Sequence, residues 1–101
     1  MQYLGALRGA GILTGGAASL GRVDYEFDAY LVRPGEVVAS GEIRMEADQL
    51  AEAFGRNGLG LQTDDGRTLD LRFSGKRLSP GSKFAHVDIY GGLPAAKDWR
   101  R

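Results

Sequence analysis

Apolar and polar residues alternate through the middle of the first half of the chain. The apolar positions are Val23, Tyr25, Phe27, Ala29 and Leu31. The acidic residues between them are Asp24, Glu26 and Asp28. Because successive side chains of a β-strand point to opposite faces, this segment predicts a strand with one apolar and one acidic face. Such strands are typical of antiparallel sheets that bury one face and expose the other.

Glycines and prolines separate further strand-like stretches along the chain. These stretches cover residues 2–8, 12–14, 20–33, 36–45, 59–63, 67–75 and 83–90. The stretch at 12–14 is the weakest, because it lies inside a glycine-rich region. Pro34-Gly35 predicts a tight turn, since proline presets φ and glycine accepts a positive φ. Short strands separated by turns are typical of β-barrels and β-sandwiches.

Residues 47–54 follow a helical period instead. Leu50 and Phe54 lie four positions apart, which puts them on one face of a helix. Asp48 or a neighbour can supply a carboxylate at the N-terminus, and Gly55 can end the helix in the left-handed conformation. A helix of two turns is not stable alone in water. We therefore expect it to close one end of the sheet, with Leu50 and Phe54 as its anchors.

Two loops predict the register of the strands beside them. The loop Asp64-Asp65-Gly66 keeps the apolar face continuous only if it has three residues, which requires Gly66 at positive φ. This register sets two apolar pairs, Leu61 with Leu69 and Leu59 with Leu71. A longer loop around Ser79-Pro80-Gly81 sets one apolar pair and one charged pair, Phe73 with Val87 and Arg72 with Asp88.

These patterns predict one all-β domain with one short helix, spanning residues 1–94. The expected architecture is a small antiparallel β-barrel of about six or seven strands, and the alternative is an open β-sandwich. The barrel is favoured because closure removes exposed strand edges, which promote aggregation. Residues 95–101 carry no strand or helix pattern and predict a flexible C-terminal tail. Trp99 in this tail predicts a contact with its own chain, with a second copy or with another molecule.

Composition excludes several functions. The chain of 101 residues contains no cysteine and has a formal net charge of zero. The absence of cysteine excludes disulfides, thiolate metal sites and thiol nucleophiles. No apolar run approaches the roughly 18 residues that a membrane helix needs. We expect no membrane partner and a cytoplasmic location.

The zero net charge conceals an asymmetry between the two halves of the chain. Residues 1–54 carry four bases and eight acids, a net charge of −4. Residues 55–101 carry nine bases and five acids, a net charge of +4. Either the halves attract each other across the sheet, or one face of the protein is basic. The neutral total argues against attachment to nucleic acid through bulk charge alone.

Motifs for catalysis and for cofactor binding are incomplete. His86 is the single histidine, so it cannot form a multi-histidine metal site, and a serine nucleophile would need it together with an orienting acid. Gly9-Ala10-Gly11 lacks the third glycine of a dinucleotide fingerprint. Gly75-Lys76 lacks the flanking residues of a phosphate-binding loop. We therefore predict no enzyme activity and no cofactor or metal.

The strongest candidate site is the outward face of the C-terminal strands. Phe84, His86 and Tyr90 lie on this face of the last strand. The neighbouring strand is expected to add Arg72 and Lys76. Aromatic rings beside cationic side chains are what single-stranded nucleic-acid binders use, since rings stack on bases and cations bind phosphates. The same residue types also suit a protein contact.

The sequence predicts a non-enzymatic binding or assembly module that acts through protein–protein contacts or self-association. Outward Tyr30, Val32 and Val38 favour this hypothesis, because a contiguous apolar patch usually marks an interface. One alternative is an oligonucleotide-binding barrel that uses the aromatic and basic face. A second is a small-ligand barrel with a pocket lined by Tyr25, Phe27 and Leu71.

Overall fold

Alternating apolar residues produce six antiparallel strands, which close into one sheet in the computed structural model of the chain; the structure describes residues 1–99. The strands are β1 (Gln2–Gly15), β2 (Ala18–Arg33), β3 (Glu36–Arg44), β4 (Leu59–Thr63), β5 (Thr68–Phe73) and β6 (Phe84–Gly91). Their order is β1, β2, β3, β6, β5, β4, and β4 pairs with β1 to close the sheet. The prediction of a small closed antiparallel barrel with one short helix is confirmed, and the open sandwich is wrong.

The prediction of two separate strand-like stretches at residues 2–8 and 12–14 is wrong. β1 is one continuous strand of 14 residues, and it passes through the glycines between those stretches. A Cβ at Gly9 would lie 3.0 Å from the hydroxyl oxygen of Tyr25, and one at Gly11 would overlap the carbonyl oxygen of Gln62. These glycines therefore allow close approach of neighbouring strands, and they do not interrupt β1.

The core lies inside the closed sheet. On β2, the side chains of Val23, Tyr25, Phe27 and Ala29 are buried as the alternation predicts. They pack in one cluster with apolar residues from the other five strands. Side chains normally fill the interior of a barrel with this few strands. The predicted β2 strand with one buried face is thus confirmed.

Both predicted registers are confirmed. Leu61 pairs with Leu69 and Leu59 pairs with Leu71, and Gly66 has a φ of 94°. In the second hairpin, Phe73 pairs with Val87 and Arg72 pairs with Asp88. The turn within the second loop is closed by the Ser82 N–H, which donates to the carbonyl oxygen of Ser79 at 3.1 Å.

One α-helix, α1 (Ala47–Ala53), follows β3. The carboxylate of Glu46 accepts hydrogen bonds from the backbone N–H groups of Asp48 and Gln49 at 3.0 and 3.1 Å, so Glu46 is the capping neighbour. Leu50 is fully buried. Phe54 follows the helix and lies against Phe73 with ring centroids 4.8 Å apart. In the described part of the chain, no helix is long and apolar enough to cross a membrane.

The C-terminal residues pack against the domain. Ala96–Asp98 form one 3-10 turn. Trp99 is half-buried and packs against the core, and its indole N–H donates to the carbonyl oxygen of Pro94 at 3.1 Å. Trp99 therefore docks on its own chain. Residues 100 and 101 of the predicted tail lie outside the described residues, and the flexibility of the tail stays a prediction.

We predict that Gly41→Ala destabilises the protein. A Cβ at Gly41 would overlap the carbonyl oxygen of Glu26 and approach the Cα of Phe27, both backbone atoms of β2. Backbone atoms cannot rotate away, so the free energy of unfolding should fall by about 1 to 3 kcal/mol, the range for overpacking.

Denaturant unfolding of Gly41→Ala and of Gly75→Ala tests this constraint. A Cβ at Gly75 would make only an ordinary contact of 3.7 Å with Arg77, so the control should change stability by less than about 0.5 kcal/mol. Equal stability of the two variants would show that β2 and β3 do not approach as closely as described here.

Candidate functional site

The outward face of β6 carries three of the residues that the sequence predicted as a site. Phe84 and Tyr90 are 50% and 58% exposed, and His86 between them is also exposed. Arg72 lies beside β6 on β5. Lys76 lies apart from these residues, in the loop after β5, where it lines a groove next to α1. The structure therefore brings Arg72 close to Tyr90 and leaves Phe84 at the other end of β6, with His86 between the two rings.

A row of apolar side chains crosses four strands of this outward surface. Strand pairing sets Tyr3 beside Tyr30 and Tyr30 beside Val38. Because Ala39 pairs with Ile89, the next residues along, Val38 and Tyr90, also face each other. We call this row, Tyr3, Tyr30, Val38 and Tyr90, the tyrosine face.

The tyrosine face is partly open to solvent. Tyr3 is 46% exposed, and its ring meets that of Tyr30 edge to face with centroids 5.4 Å apart. A groove of about 510 Å³ runs beside Tyr30, Val38 and Tyr90. Val32, the other outward residue that the sequence singled out, is half-buried on the same strand as Tyr30. Rigid rings with hydroxyl groups that reach water are typical of protein interfaces.

An acid lies beside one end of the tyrosine face, and an arginine lies beside the other. At one end, the hydroxyl of Tyr3 donates a hydrogen bond to Asp28 at 3.0 Å. This hydrogen bond raises the pKa of Tyr3 above its usual value. At the other end, the guanidinium of Arg72 lies 5.9 Å from the ring centroid of Tyr90. Arg72 makes no ion pair with another residue in the range 1–99, although Asp88 is its register partner.

A second pair of an arginine and an aromatic ring lies at the opposite end of β6. The guanidinium of Arg44 lies 5.9 Å from the centroid of the Phe84 ring. Acidic residues occupy the rows between this pair and the tyrosine face, and they are Glu26, Glu42, Asp28 and Asp88. The surface between the two aromatic ends is therefore not a continuous basic track.

Ser74 and His86 make one contact that was not predicted from the sequence. The Oγ of Ser74 lies 2.6 Å from Nδ1 of His86, and both residues are exposed. The register that pairs Phe73 with Val87 also sets Ser74 opposite His86, so the contact could have been predicted. The pair lies on the outer surface of a closed sheet, and a hydrogen bond across neighbouring strands is its ordinary role.

The side chains of this surface do not converge as a catalytic or metal site does. Among residues 1–99, no group of three or more histidine, aspartate or glutamate residues is placed to hold a metal ion. Glu26, one of the three β2 acids, pairs with Arg8 at 3.1 Å, and both side chains are mainly exposed.

We predict that Asp28→Asn lowers the pKa of Tyr3 toward its ordinary value of 10.0. The Asp28 carboxylate accepts a hydrogen bond from the protonated phenol and repels the phenolate, so it favours the protonated form. Removal of its charge should therefore make Tyr3 ionise at lower pH, as measured by NMR of the Tyr3 ring. Glu42→Gln is the control and should leave this pKa unchanged. An unchanged pKa in Asp28→Asn would contradict the contact.

Comparisons with known proteins give no functional guide. No protein-family model matches the chain, and searches of curated proteins and of solved structures found no significant match. The evidence that bears on function is therefore the geometry and the charges of this surface.

Proposed function

We propose that this protein is a non-enzymatic assembly module that pairs with a second copy of itself through the tyrosine face. The observation that carries the proposal is the row of apolar side chains across four strands, with two tyrosines close to half exposed. Contiguous exposed apolar surface is typical of protein interfaces, and tyrosine is enriched in them.

The charges at the ends of the row support a second copy as the partner. Consider a two-fold axis that lies in the interface, perpendicular to the row and through its middle. This axis packs the two tyrosine faces against each other with their rows running in opposite directions. The Asp28 end of one protomer then meets the Arg72 end of the other, and this happens twice. Arg72 has no ion pair within residues 1–99 and can therefore serve a partner. Complementary charges of this kind orient an interface and select the partner.

The small-ligand alternative has little support. Tyr25, Phe27 and Leu71 are 7%, 1% and 1% exposed and belong to the packed core. The rings of Tyr25 and Phe27 stack with centroids 5.1 Å apart. Side chains packed in this way fill the interior, so a ligand would first have to displace them.

The oligonucleotide alternative has one observation in its favour. Arg44 lies over Phe84 and Arg72 lies over Tyr90, and stacked rings with nearby cations suit single strands. The acids between these pairs would repel the phosphates of a strand that joined them. Self-association is therefore the stronger proposal.

We predict that each of two single charge reversals weakens self-association and that the two together largely restore it. Arg72→Asp should weaken the dimer about tenfold, because it sets like charges against Asp28 of the second protomer. Asp28→Arg should weaken it for the converse reason. The double variant Arg72→Asp with Asp28→Arg should recover most of the affinity. Sedimentation equilibrium from micromolar to millimolar protein measures the dimer dissociation constant of the wild type, the two single variants and the double variant.

Arg44→Asp is the matched control for this experiment. It removes the other arginine that lies over an aromatic ring, at the same 5.9 Å distance, but outside the tyrosine face. It should leave the dimer affinity unchanged. A wild-type protein that is monomeric at millimolar concentration would overturn the proposal, and so would equal effects of Arg44→Asp and Arg72→Asp.

A separate titration tests the oligonucleotide alternative. We predict that labelled single-stranded oligonucleotides at low salt do not bind at protein concentrations up to about tens of micromolar, since a neutral protein releases few counterions. Fluorescence anisotropy measures this binding. Affinity that falls steeply as salt rises, and that Phe84→Ser and Tyr90→Ser both reduce, would favour the alternative.

A further inference from the structure

A groove separate from the tyrosine face lies between α1 and the loop that joins β5 to β6. Its volume is about 440 Å³, and the loop side is formed by residues 76–82. The helix side is formed by Ala47, Ala51 and Phe54. Their spacing of four and three positions puts them on one face of a helix. This groove played no part in the sequence prediction.

The floor of the groove is apolar, and its side chains pack against residues of the barrel. Phe54 is half-buried and rests on Phe73, and Leu78 packs against the core. Within residues 1–99, the residues of α1 that line the groove are Ala47 and Ala51. Their small side chains leave the space above the Phe54 ring open. An apolar side chain of a partner could therefore enter without movement of the core.

The rim of the groove is basic. Lys76 and Arg77 are exposed and make no ion pair within residues 1–99. Of the acids on and beside α1, Glu46 caps the helix and Glu52 pairs with Arg56, and Asp48 does not line the groove. Among residues 1–99, the groove lining contains Lys76 and Arg77 but no acid, so the groove is positively charged.

The backbone N–H and C=O groups in the first part of the loop are also free to bind a partner. Residues 75–78 make no backbone hydrogen bond with another residue of the described chain. The adjacent turn has its own backbone contact, since the Ser82 N–H donates to the carbonyl oxygen of Ser79, and Gly81 has a φ of 77°. Unpaired N–H and C=O groups next to an apolar groove are typical of sites that bind an extended peptide.

We infer that this groove binds a short acidic peptide segment of a partner protein that carries an aliphatic or aromatic anchor. The anchor lies on the floor formed by Phe54 and Ala51, and the carboxylates of the peptide meet Lys76 and Arg77. The two cations are too few for the phosphate track of a nucleic acid. A peptide needs only a few matched charges. This inference is independent of the self-association proposed above.

Fluorescence anisotropy at low salt tests the inference with a labelled synthetic peptide that alternates glutamate with leucine. We expect micromolar binding that weakens as salt rises. Lys76→Glu should raise the dissociation constant about tenfold, which corresponds to the loss of one well-placed charge contact. Ala51→Phe should weaken binding to a similar extent, because its ring fills the groove while every charge is kept. Circular dichroism confirms that each variant folds.

Two controls make the test specific. Lys97→Glu makes the same charge reversal at an exposed position outside the groove and should leave binding unchanged. A peptide that alternates lysine with leucine should not bind. Equal weakening by Lys97→Glu and Lys76→Glu, or full binding by Ala51→Phe, would overturn the inference. A single-stranded oligonucleotide or an anionic lipid vesicle that competes for the groove more strongly than the peptide would also overturn it.

Discussion

Closure of six strands around a filled interior is the constraint on which the rest of the structure depends. A barrel of few strands has a small radius, so neighbouring backbones must approach closely as the sheet coils. Gly11 and Gly41 allow this approach, because a Cβ at either position would overlap the backbone of the adjacent strand. The interior that remains is occupied by Phe27 and the other core side chains. The surfaces proposed for binding therefore both lie on the outside of the sheet.

The register that builds the core also arranges the outer surface. In a β-sheet, side chains that line up inward require the residues between them to line up outward. The pairing of Ala39 with Ile89 inside the barrel thus sets Val38 beside Tyr90 outside. The same rule sets Ser74 beside His86. Core packing therefore holds the tyrosine face rigid, and a rigid surface loses little conformational entropy when it binds a partner.

Local patterns were sufficient for much of this fold, because period-two alternation and turn chemistry act over a few residues. They predicted the β2 strand and the positive φ of Gly66. They did not predict that β1 continues through Gly9 and Gly11, since that depends on contact with β2 and with distant β4. The tyrosine face was also only partly foreseen. It joins Tyr3 to Tyr90 through the strand order β1, β2, β3, β6, which no local pattern determines.

The two proposed surfaces lie at opposite ends of the sheet. β6 begins at Phe84 beside the strand end that leads into α1, and Tyr90 lies six residues further, roughly 20 Å along the strand. A dimer formed through the tyrosine face therefore leaves the groove of each protomer open. Two grooves held at a fixed separation bind a partner with two acidic segments more tightly than either groove alone, because the second contact is intramolecular. Self-association would in this way increase the affinity of a module whose single groove presents only two cations.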